Sequence, residues 1–99
     1  MISLDPDYLG SEPKFSLGQL YVTPGALAQI SEPEIFSAIR RHLCGDWGDL
    51  EDFDKEQNEL ALKEGMRLLS AYHSQGGEKF WIITEWDRSS TTVLLPSEY

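Results

Sequence analysis

Glu85 and Asp87, followed by Arg88, are the residues of this chain best spaced for acid–base chemistry, because paired carboxylates can divide the roles of proton donor and acceptor. On an extended strand they point to one side, but Asp87 precedes a turn and is expected to cap it. His42, Cys44, Asp46 and His73 are the residues that come nearest to a metal-ligand set. On a helix His42 and Cys44 diverge by about 200°, and the spacing matches no familiar zinc site, so neither a metal nor another cofactor is expected. His42 is read as a helix-edge residue near a C-terminal dipole, and Cys44 as a small buried thiol. Gly76-Gly77 leads into a strand, so no helix N-terminus stands there to receive a phosphate. No catalytic residue is assigned, and a binding role is favoured over an enzymatic one.

A lopsided charge distribution carries more information than these clusters. Between Asp46 and Glu64 there are eight carboxylates and two lysines. Residues 1–64 hold thirteen acids and five Lys/Arg, whereas residues 65–99 hold four acids and three, within a total net charge of −9. Such a field repels nucleic acid and an anionic membrane surface, so direct binding to either is not expected. A basic protein surface is the natural counterpart, since opposite charge speeds encounter. The candidate partner-binding residues are Asp46, Asp49, Glu51, Asp52, Glu56 and Glu59 from this stretch, with Tyr72, Trp81 and Glu85 from the strands that follow. The plainer alternative is a solvated acidic helix face that aids solubility.

Ninety-nine residues suffice for one domain with a single core, and 40% apolar residues exclude a disordered tail. Residues 1–16, with Pro6, Gly10, Ser11 and Pro13, read as a flexible N-terminal arm, and residues 17–99 as one domain. A lone Cys44 gives no disulfide framework and fits a reducing, cytoplasmic setting. Neither a signal-peptide layout nor an apolar run of about 20 residues is present, so no membrane association is expected.

Punctuation and periodicity then place the elements that must position these side chains. Leu17 to Val22 reads as a strand, and Thr23-Pro24 starts a short helix that ends near Ile30. Ser31-Glu32-Pro33-Glu34 is a capping box for a second helix in which Ile35, Ile39 and Leu43 recur beside Phe36, Arg40 and Arg41 face outward, and Gly45 stops the turn. A third helix is expected from Asp54, with Gln57 as box partner, to Gly65, presenting Leu60, Ala61 and Leu62. From Met66 the period becomes two, with turns at Gly76-Gly77 and Arg88-Ser89. Two-residue turns at both places pair Tyr72 with Trp81, Ala71 with Ile82, Ile83 with Leu94 and Thr84 with Val93. One face then gathers Leu69, Ala71, His73, Phe80, Ile82, Trp86, Val93 and Leu95 against the helices. The other shows Tyr72 and Trp81 among polar residues, as an interface does; the alternative is that the arm, through Tyr8, Leu9 and Phe15, covers it. In Gly45-Asp46-Trp47-Gly48-Asp49 the tryptophan either plugs the core or projects as an anchor, with burial favoured.

That segment, with Asn58–Gly65 (NELALKEG), Leu68–Tyr72 (LLSAY) and Trp81–Pro96 (WIITEWDRSSTTVLLP), resembles a family of short uncharacterised proteins of bacterial plasmids and integrative elements, often labelled plasmid-related protein. The resemblance covers roughly residues 15–99 and implies a bacterial, mobile-element setting, with no activity or site residue to transfer. Some relatives carry restriction-subunit labels, but this chain has no room for a methyltransferase or nuclease domain. The reading is an α+β domain: a leading strand and two or three helices, followed by a three-stranded antiparallel β-meander with helices on one face. The function expected is that of a small acidic accessory protein, an inhibitor or DNA mimic directed at a basic nucleic-acid-binding protein. The alternatives are a small RelE-like RNase toxin, whose plan is similar but whose groove must be basic, and a structural homodimer joined through Tyr72 and Trp81.

Overall fold

The computed structural model describes residues 12–99, and the α+β class holds. Strand β1 (Gln19–Val22) runs directly into helix α1 (Pro24–Gln29), because the Thr23 hydroxyl accepts the Ala26 N–H and Pro24 occupies the first turn, where its missing donor costs nothing. Helix α2 (Glu32–Leu43) is capped by Ser31, whose hydroxyl accepts the Glu34 N–H. The expected capping box is rearranged. Glu34 accepts the Ser31 hydroxyl through one carboxylate oxygen and the Gln75 N–H through the other, which ties the helix start to the first hairpin. Ile35, Ala38, Ile39 and His42 form the buried stripe of α2, with the spacing of one helical face, while Phe36 is exposed.

Helix α3 (Asp52–Glu64) begins two residues before the expected Asp54. Glu51 stands at its cap without a side-chain bond, and Asp52 and Asp54 both lie in the first turn, where the helix dipole favours carboxylates. Gly65 closes the helix with φ 70°. Arg88 reaches back to donate to Ala61 O and Met66 O, setting a cation on the last carbonyls. Of the expected apolar triplet Leu60, Ala61 and Leu62, only Ala61 is buried, since consecutive helical residues diverge by about 100°. Asn58 is its buried companion.

Strands β2 (Leu68–His73), β3 (Lys79–Thr84) and β4 (Ser90–Leu94) form the meander, and a 3₁₀ turn (Pro96–Glu98) follows. The sheet is not confined to these three. β1 joins it in parallel beside β4, giving a mixed four-stranded sheet in the order β1-β4-β3-β2.

Both hairpins depart from the expected register. Tyr72 pairs with Phe80 and Ala71 with Trp81; Ile83 pairs with Thr92 and Ile82 with Val93. The cause is loop length. Ser74 N donates to Glu78 O and Gly77 N to Ser74 O, so the first loop has three residues and ends on Gly77 at φ 89°, the left-handed position such a loop requires. In the second, Glu85 N donates to Ser90 O around a four-residue loop in which Arg88 takes φ 60°. The one-residue slip transfers every β2 side chain to the other face, whereas the two-residue slip leaves β4 where expected. Phe80, Ile82 and Val93 therefore do face the helices, joined by Leu68, Ser70 and Tyr72 instead of Leu69, Ala71 and His73.

Helices α1 and α2 cover that face through Ala26, Ile30, Ile35, Ala38 and Ile39. Helix α3 lies along β2, where Trp47, Ala61 and Leu68 form a second buried cluster with Phe15 against it. Tyr8 and Leu9 of the expected arm lie outside the described residues. Its last residues belong to the domain: Lys14 N donates to Leu43 O at 2.8 Å, and the Phe15 ring stacks on Trp47 at 6.5 Å, on the helix side and away from Trp81.

Candidate functional site

On the sheet face turned away from α1 and α2, where Ala71, Ile83 and Leu94 are buried, a cleft of about 550 Å³ lies beside the first turns of α3. Leu69, Ala71, Lys79 and Trp81 form its floor, since these odd-numbered residues of β2 and β3 share one face. Asp49, Leu50 and Glu51 form one wall as the chain enters α3, and Asp54, Gln57 and Asn58 continue it one and two turns on. Three carboxylates thus stand around an indole that is only half-buried. Lys79 is the one cation of the lining, and no ion pair joins it to these acids: among the described residues the ion pairs are Arg41–Asp46 and His73–Asp49. On the far side of Trp81 the Tyr99 ring meets it edge-on at 5.7 Å, and Arg67 in turn stacks over Tyr99 and donates to its hydroxyl.

The wall is held in place by the way it seals the β2 edge. Ala71 N donates to Trp47 O and Asp49 N to Ala71 O, at 3.1 and 2.7 Å. Two residues back along β2, the Asn58 side-chain amide stands in for a strand, donating to Leu69 O at 2.7 Å and accepting from Leu69 N at 3.2 Å. Gly48 is required for this contact. It has φ 79°, and a Cβ there would lie 2.0 Å from Ala71 O.

The nine expected site residues are sorted by these contacts. Asp49, Glu51 and Trp81 come together at the cleft. Asp52 and Glu56 are exposed on α3 outside its lining, and Glu85 is half-buried at the start of the second loop. Asp46 is engaged internally: its carboxylate accepts from Arg41 at 2.7 Å and from Gly48 N at 3.2 Å, and its pKa is lowered, first by the Arg41 hydrogen bond. Glu59 accepts the indole N–H of buried Trp47 at 2.7 Å. Trp47 is thus core and not an anchor. Tyr72 is corrected outright: it is buried on the helix side, its hydroxyl donating to Asp46 O at 2.5 Å, so Tyr72 and Trp81 do not share a face. Asp54 and Lys79 were not anticipated. Asp54 is expected as a helix start, and Lys79, two residues before Trp81 on the same strand, lies on its face and pairs with His73.

His42, Cys44, Asp46 and His73, the residues nearest to a metal-ligand set, do not form one cluster. Among the described residues no group of three or more His, Cys, Asp or Glu is placed to hold an ion. His73 Nδ1 is 2.7 Å from Asp49 Oδ2, and Asp87 accepts the Ser89 N–H, as a turn cap does. His42 is no helix-edge residue. Fully buried, it lies 2.6 Å from Ser70 Oγ through Nδ1 and 2.9 Å from Thr84 Oγ1 through Nε2. Thr91 Oγ1 donates to Leu17 O and must accept from Thr84, which must therefore accept from His42 Nε2–H. That sequence of donors puts a proton on Nε2, and in the neutral ring Nδ1 accepts the Ser70 hydroxyl. Burial, with a smaller contribution from Arg88, lowers the His42 pKa to about 3. Ser70 and His42 have the contact of an activated nucleophile and its base, but no access: Ser70, His42, Thr84 and Thr91 are all sealed from solvent.

No helix among the described residues is long and apolar enough to cross a membrane. Comparison with protein families, with curated proteins and with solved structures finds no match to this chain.

Proposed function

We propose that this protein is a small, acidic, non-catalytic binding protein, and that it receives a basic segment of a partner protein in the cleft between α3 and the sheet face that carries Trp81. The observation that carries the proposal is the meeting of Asp49, Glu51 and Asp54 around the half-buried Trp81. An indole face with carboxylates at its rim offers a lysine or arginine side chain both a π-surface and opposite charge. The acids of α3 outside the cleft extend the same negative field and steer encounter. In the mobile-element setting that the sequence resemblance implies, the partner is a host nucleic-acid-binding protein, and the acidic surface occupies its basic channel as DNA does.

The test is capture from a bacterial lysate at low salt, with the native chain and the variant D49K/E51K/D54K as parallel baits. The native chain is expected to retain basic proteins that elute as salt rises, and the variant to lose them while keeping its circular dichroism. Equal recovery on both baits, or retention insensitive to salt, overturns the proposal.

A further inference from the structure

The two edges of the sheet are built differently, and the open one points to a second copy of this chain. At the β1 edge, Gln19 N and Thr23 N donate to Ser89 O and Val93 O, so by strand alternation Leu20 and Val22 turn their N–H and C=O groups outward. Among the described residues no backbone group meets them. Natural sheets protect such an edge with charges, bulges or a covering segment. Here the sequence does the opposite: Phe15 to Ser31 is a run of seventeen residues without Asp, Glu, Lys or Arg, in a chain of which 25% is charged. Leu20 and Tyr21 are 39% and 55% exposed within it.

We propose that two copies of this protein pair antiparallel through β1 about a two-fold axis, joining their sheets into one of eight strands. With Tyr21 opposite its counterpart in the other copy, Leu20 falls opposite Val22 and Val22 opposite Leu20. Both are outward-facing positions, so each pair exchanges two N–H···O=C bonds, four in all. The match is self-complementary, as a two-fold interface requires. Pro24, the next outward position, has no N–H and ends the ladder there. Charge selects the second copy as occupant. Each chain carries −9, and the acids of Asp46–Glu64 lie on and beside α3, along the β2 side of the sheet. Joining β1 to β1 brings together the uncharged segments and keeps the acidic sides at opposite ends of the dimer.

Ionic strength separates this contact from the proposed basic-partner complex. Pairing two chains of like charge strengthens as salt rises, whereas an acidic cleft holding a basic segment weakens. Sedimentation of the full-length chain across concentration and salt is expected to show a species of twice 11.2 kDa that is favoured by salt. Val22→Pro removes an outward N–H without touching the ladder to β4, and Leu20→Lys places a charge at the contact. Each is expected to weaken dimerisation at least about tenfold with circular dichroism unchanged. Hydrogen exchange on the native chain gives a reading that no variant's folding can confound: the Leu20 and Val22 amides should gain protection as concentration rises. A monomer at every concentration and salt, a dimer that survives both substitutions in folded variants, or concentration-independent exchange at these two amides overturns the proposal. The second of these places the interface elsewhere, and the last leaves the edge to the chain's own N-terminal segment.

Discussion

The two faces of the sheet use polar residues in opposite ways. On the helix side every buried polar group is matched within the protein: His42 between Ser70 and Thr84, Thr84 to Thr91, Thr91 to Leu17 O, and the Tyr72 hydroxyl to Asp46 O. On the cleft side Asp54, Glu51 and Lys79 stand exposed, and none is joined to another by an ion pair. The difference follows from desolvation. A polar group removed from water without a partner costs on the order of 1–3 kcal/mol, so the helix side must close its hydrogen bonds internally, whereas the charges at the cleft keep their contact with water. The closed hydrogen-bond network and the exposed charges thus fall on different sides of the same strands, alternating along β2 and β3, while Ala71, Ile83 and Leu94 on the cleft side are buried as well.

The sharpest way to break this contrast is on the helix side. Ile82, fully buried, should cost about 2–5 kcal/mol of unfolding free energy when replaced by alanine, measured by denaturant titration; a loss below about half a kcal/mol would remove it from the core. Acid tests the same face through His42. Its ordinary value near 6.5 falls to about 3 in the folded protein, so between these pH values the unfolded chain binds a proton that the native chain does not. Stability from this group is complete above about pH 6.5 and declines as pH falls through the window. From pH 6.5 to pH 4 the loss should be on the order of 3 kcal/mol, and it should vanish in His42→Gln, where nothing titrates. Identical pH profiles for the two proteins would show that His42 is accessible to protons.

The cleft side should give the reverse pattern. Trp81→Ala is expected to lower stability by less than about 2 kcal/mol and basic-partner affinity by more than about tenfold; a larger stability loss with unchanged affinity would make Trp81 core. The smallest effect belongs to Glu56→Lys, an exposed site on α3 outside the cleft. It should shift stability by no more than about 0.5 kcal/mol and weaken binding less than Asp54→Lys does. Equal losses from the two would spread recognition over the whole acidic helix.

What could be read from sequence was whatever depends on neighbours along the chain. Thr23 and Ser31 as caps, Gly45 and Gly65 as stops and Asp87 as a turn cap all stand, because each is set by a side chain or a φ value within a few residues. The register of the first hairpin is not legible because Gly76-Gly77 is equally compatible with a two- and a three-residue loop, and the choice is made by the Ser74–Glu78 hydrogen bonds; that of the second is set by the Glu85–Ser90 bond. The parallel pairing of β1 with β4 joins residues about seventy positions apart, so no local pattern announces it. At the candidate site, the acids of residues 49–51 and Trp81 were visible as residue types. Their meeting was not, since it depends on Gly48 and Asn58 docking the wall against β2.

That docking has a consequence for how large an assembly can become. A sheet with two bare margins can add neighbours on both sides without limit, which is how fibrils lengthen. Here Asn58 and the backbone of Trp47 and Asp49 already occupy the groups that a new strand would need beside Leu69 and Ala71. Among the described residues strand addition is thus left to the β1 margin, and the proposed pairing along β1 would leave no vacant margin for a third chain.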